Sequence, residues 1–112
     1  MRPTNNNLME VLDMAAYISY YTFFSENIKI IKDIHADFKA ENASGEVFDK
    51  AYGTFLNKFI ARCHAFAGET FRGSSKVISN YISEISNTKT ESQHQRFDKL
   101  LKITEQYMRV SI

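Results

Sequence analysis

The side chains best suited to chemistry in this chain are His35, His64, His94 and the single cysteine, Cys63. Cys63 and His64 would be metal ligands by type, but adjacent helical residues diverge by about 100° and no second pair completes a site. His64 has no acidic residue at a spacing that would orient it as a general base. His94 falls in the first turn of a short C-terminal helix, and His35 sits on an apolar seam as a hydrogen-bonded core or interface residue. Helical nucleases that place an Arg four to six residues before a His offer no match: in Arg62-Cys63-His64 the Arg is too close, and Arg72 has no following His. Gly-rich phosphate loops, nucleophile elbows, paired-His helix motifs and calcium loops are missing from the sequence. The acidic residues are scattered along polar faces as solubility charges. These patterns predict no enzyme, no cofactor, no metal and no small-molecule substrate.

What the sequence does have is a helical seam. Met14, Tyr17, Tyr21, Phe24, Ile28, Ile31, His35 and Phe38 alternate steps of three and four, the a/d rhythm of a long helix facing another helix. This row is the expected interface. Leu8, Val11, Ala15 and Ile18 add a second apolar row, so the first half of the helix is expected to have two neighbours and the second half one. Asn7 with Glu10 approximates a capping box, which starts helix 1 near residue 7 and carries it to about residue 40. A strand over Tyr17 to Phe24 would suit the β-branched and aromatic residues there, but strict alternation is missing.

Asn42, Ser44 and Gly45 form the break: Asn42 or Gly45 takes a left-handed conformation, and Ser44 caps the helix that follows. From Phe48 onward, Tyr52, Phe55, Phe59, Cys63, Phe66, Thr70, Val77, Tyr81 and Ile85 recur at helical spacing. They define helix 2 over about 46–85, with a kink or interruption expected at Gly73-Ser74-Ser75. Residues 86–91 are polar and are expected to be a linker. Ser92 with Gln95 forms a second capping box, and Phe97, Leu100, Leu101, Thr104, Tyr107 and Met108 stripe a third helix over about 93–110. That helix is the expected cover for the extra row on the first half of helix 1. The predicted fold is all-α, one domain over residues 1–112: a long antiparallel hairpin with a shorter third helix packed on it.

Bulk properties narrow the function further. The chain has 112 residues, a formal charge of +1 and no tryptophan, enough length for one core without disulfide staples. Without a basic stripe, nucleic acid is not an expected partner. A lone cysteine fits a reducing compartment. The apolar stretch from Leu8 to Phe24 is too short and carries Glu10 and Asp13, so no membrane span is expected. Nor does it have the basic leader or cleavage site of a classical signal peptide. The expectation is a cytoplasmic protein, or one exported without such a leader. Tyr17, Tyr20 and Tyr21 mark a wet edge of the buried face, compatible with a partner surface and equally with an ordinary core rim.

The segment Asn42-Ala43-Ser44-Gly45-Glu46-Val47-Phe48 resembles the hairpin turn of the small Trp-x-Gly proteins exported by type VII secretion systems. Ala43 stands where that family has tryptophan, Gly45 at the turn glycine, and Phe48 at the first apolar residue of the second helix. The layout matches over about residues 7–86. The family's export signal, a Tyr followed four residues later by an acid, is not met, because Glu84 follows Tyr81 by three. The resemblance implies a leaderless secretion substrate, or a helical protein that pairs with one. The other class open to such a chain is a cytoplasmic helical binder: an immunity protein, antitoxin, secretion chaperone or phage-encoded inhibitor. Either would take a protein partner through a helix face, as a homo- or hetero-oligomer, a dimer being the simplest case.

Overall fold

A computed structural model describes the backbone of residues 5–69 and 74–110, and the side chains of 18–68 and 76–109. The expected all-α class holds: the described residues form four α-helices and a short 3-10 turn, with no strand among them. The elements are α1 (Asn5–Ala40), α2 (Gly45–Glu69), α3 (Ser74–Ser86), the 3-10 turn Asn87–Thr90, and α4 (Gln93–Val110). The helix expected over 46–85 is thus two helices, α2 and α3. Gly73, the first residue of the expected break, lies outside the described residues, as does Thr70 of the expected stripe.

Phe38 meets Phe48 and Phe23 meets Phe66, so α2 runs back along α1. His35 meets His94 and Phe24 meets Tyr107, so α4 also runs opposite to α1. The backbone of α1 nevertheless runs nearest that of α4, not α2. The result is a rod of 64 × 19 × 18 Å.

Two expectations change here. The third sequence helix, α4, was expected over the first half of helix 1; it instead lies against the second half, between Phe24 and Phe38. Ile18, from the row it was meant to cover, is 56% exposed. The side chains of Leu8, Val11 and Ala15 lie outside the described residues. The expected polar linker is also not wholly at the surface, since Thr88 within it is buried. Its hydroxyl bonds the Ile85 carbonyl at 2.7 Å and Tyr52 Oη at 2.6 Å, which removes the cost of taking it out of water.

The core is rich in aromatic rings. Phe97 of α4 packs edge-on against Phe38, Phe48 and Tyr52 and lies parallel to the His35 ring. Phe24, Ile31, Leu56, Cys63, Ile78, Ile85 and Leu100 are among the other buried core residues.

Candidate interaction surface

The seam residues do not share one environment. Phe24, Ile31 and Phe38 are buried, Ile28 and His35 are half-buried, and Tyr21 is 41% exposed; the side chains of Met14 and Tyr17 lie outside the described residues. The buried part of the row is covered by this chain's own helices: Phe24 by Tyr81 and Tyr107, Phe38 by Phe48 and Phe97. Between them the face is centred on Asn27, which is 0% exposed, and not on Ile28.

Sequence reasoning missed Asn27 because an apolar row skips polar letters. Its place in α1, three residues after Phe24 and four before Ile31, is a seam position all the same. Its partner comes from α2. Arg62 Nε donates to Asn27 Oδ1 at 2.9 Å, and Arg62 Nη2 reaches Glu26 Oε1, also at 2.9 Å. The guanidinium lies 5.2 Å from the Phe23 ring centroid, a cation–π contact. One arginine is therefore fixed by three neighbours on α1.

That arginine stands at one wall of an open groove between α1 and α2. Ile18, Thr22, Phe23 and Glu26 line it from α1, and Arg62 and Phe66 from α2. Phe23 and Phe66 stack at 4.0 Å with planes 8° apart, making an aromatic floor. Exposed Ile18 lines the same groove, and Tyr21 is exposed one helical turn further along α1. The surface combines apolar relief, an aromatic floor and an anchored charge pair. It can take an apolar side chain and orient a polar one beside it.

The turn residues behave largely as the sequence implies. Asn42 has φ 54° and Gly45 φ 58°, so both, not one, are left-handed. The Ala43 N–H bonds the Phe38 carbonyl and the Asn42 N–H bonds the Lys39 carbonyl, each at 3.1 Å, which is a Schellman closure of α1. The Ser44 carbonyl accepts the Phe48 N–H and opens α2, and Phe48 is buried. α4 clamps this end: Gln93 Nε2 donates to the Gly45 carbonyl, and Arg96 reaches both Asp49 Oδ1 and the Glu91 carbonyl. The second capping box takes a variant form, in which Ser92 Oγ donates to Gln95 Oε1 at 2.6 Å.

The reactive groups occupy dissimilar surroundings. Cys63 is buried, and burial pushes its thiol up to about 12, so it stays a protonated core residue. His64, its sequence neighbour, is exposed. The Tyr52 and Tyr81 hydroxyls are raised by burial and are each tied to a threonine. Burial first, then the Lys39 charge, holds the His35 imidazole below its ordinary value. No group of three or more potential metal ligands occurs among the described residues, and no described helix is long and apolar enough to cross a membrane. No protein family, curated protein or solved structure matches this chain.

Proposed function

We propose that this chain is a non-enzymatic helical interaction module, and that it receives a protein partner in the groove between α1 and α2. The observation that carries this reading is the exposure of Ile18 (56%) at a groove floored by the Phe23–Phe66 stack. Large apolar side chains left in water beside a concave aromatic surface favour association, and aromatic and arginine residues dominate binding energy at protein interfaces. The mechanism is burial of those groups by an apolar segment of the partner, at about 25 cal/mol per Å² before the costs of association. The seam residues Phe24, Ile31 and Phe38 serve the chain's own core, so the partner surface moves to the rim beside them.

The test is co-purification of the parent and an Ile18→Asp variant from the native host, followed by quantitative mass spectrometry. The expected result is a protein retained by the parent and lost by the variant, whose helicity and unfolding midpoint stay unchanged. Identical recoveries from both would refute the groove, and turnover of any substrate would refute the non-enzymatic reading.

Export by a type VII apparatus is favoured by one observation, the short left-handed turn through Asn42 and Gly45 that joins the two longest helices. Its test is recovery of intact protein from culture medium only when the apparatus is functional. A one-to-one complex with a toxin or effector, retained inside the cell, would instead mark an immunity protein, antitoxin or chaperone.

A further inference from the structure

His35 of α1 and His94 of α4 approach through His35 Nε2 and His94 Nδ1, which lie 3.1 Å apart with ring centroids at 5.3 Å. The two residues are 59 positions apart in sequence, so only the fold makes them a pair. His35 lies parallel to Phe97 at 4.6 Å and 11°, and His94 stands edge-on to Phe48 at 5.2 Å. One ring donates its N–H to the other, so a single proton is shared at a half-exposed site.

We propose that His35 and His94 form a two-histidine clamp for a divalent transition-metal ion of the zinc or nickel class, bridging α1 and α4. Metal–imidazole bonds are about 2.0–2.1 Å, so nitrogens this far apart subtend about 98° at a bound ion, between the square and tetrahedral values. The ion takes the place of the shared proton off the line joining the nitrogens; the rings meet nearly end to end, so the imidazoles turn by up to about 40° to aim both lone pairs at it. The chain supplies two ligands and water the rest, so the site is exchangeable. Asp98, one turn beyond His94, contributes negative charge, and Lys39, one turn beyond His35, opposes it. Nothing in this clamp depends on the α1–α2 groove.

The clamp predicts that metal stabilises the folded chain, because the unfolded chain separates the two rings. Zn²⁺ or Ni²⁺ at ten times its Kd multiplies the folded-to-unfolded ratio about elevenfold, which raises the midpoint by a few degrees. The experiment is thermal unfolding of the full chain in EDTA, in ZnCl₂ and in NiCl₂ at pH 7.5, for the parent, His35→Gln and His94→Gln. A rise in the parent that disappears in both variants supports the clamp. If His35→Gln fails to fold, His94→Gln decides alone, since His94 is exposed. No rise in the parent overturns the proposal. An equal rise in either variant also overturns it, because the ion would then sit elsewhere.

Discussion

Tyr52 of α2 donates its hydroxyl hydrogen to Thr88 Oγ1 across 2.6 Å, because the Thr88 hydrogen is already committed to the Ile85 carbonyl at 2.7 Å. Tyr81 and Thr104 repeat the device at 2.7 Å, with Thr104 donating to the Leu100 carbonyl at 2.8 Å. In each case a buried tyrosine from one helix is held by a threonine whose own hydrogen satisfies a backbone carbonyl. The pairs are fully satisfied polar contacts inside an aromatic core, and they fix how the helices sit against one another.

Removing either half of the first pair should therefore cost stability, and unequally. Tyr52→Phe deletes one donor but leaves Thr88 bonded to Ile85, a loss of about 1 kcal/mol. Thr88→Val leaves the Tyr52 hydroxyl buried without an acceptor, a loss of about 1–3 kcal/mol. The double variant should cost less than the two losses added together, since the residues share one bond. Urea unfolding of the four proteins measures this; strict additivity would mean the hydroxyls do not meet.

Arg62 and Asn27 should respond unequally to substitution. Asn27 Nδ2 is buried without a hydrogen-bond partner among the described residues, and only Arg62 Nε satisfies its Oδ1. Arg62→Ala removes the hydrogen bond to the buried Asn27 Oδ1 and should cost about 1–3 kcal/mol. The accompanying Glu26 ion pair is wet on both sides and adds less than about 1 kcal/mol. Asn27→Leu replaces the amide with an apolar group of similar volume, so its midpoint should stay within about 1 kcal/mol of the parent or rise. A large loss for Asn27→Leu in chemical denaturation would show that the amide is essential to the packing of α1 on α2.

This pair also marks where the sequence stops being informative. The helical period is plain in Phe24, Ile31 and Phe38, because burying a row of side chains leaves a pattern in the letters. Asn27 sits in that row, but its burial depends on Arg62, 35 residues later, and no local pattern carries that information. The same limit hid the His35–His94 pair and the burial of Thr88, each of which is made acceptable by a distant partner. The turn was legible because backbone demand is local: Asn and Gly are the residues that tolerate positive φ. The order of helix packing was not, since periodicity tells how many faces are apolar and nothing about which helix covers each.

The turn yields its own test. Asn42→Gly should be neutral or slightly stabilising, because glycine suits φ 54° at least as well. Asn42→Ala should cost about 1 kcal/mol from the left-handed backbone alone. Gly45→Ala should cost about 1–2 kcal/mol for the same reason, although a Cβ there would meet nothing within 4 Å. Thermal midpoints rank the three. If Gly45→Ala equals the parent, residue 45 is not left-handed in solution.

Alkaline pH should unfold the chain earlier than its carboxylates and lysines would suggest. The Cys63 thiol moves from an ordinary value of 9.0 up to about 12 in the fold, driven by burial. Tyr81 is likewise raised from 10.0, by burial foremost. Between those ordinary values and the raised ones, the unfolded chain has released protons that the folded chain retains. The unfolded state then binds fewer protons, so stability falls as pH rises. The stabilisation is whole below about pH 9 and is lost progressively above it, with Tyr81 joining from about pH 10. Cys63→Ala should lower the midpoint at pH 7, since it opens a cavity, yet flatten its decline above pH 9. Unfolding midpoints of parent and variant from pH 7 to 10.5 decide this, and a parent curve that stays level throughout would mean the thiol meets solvent.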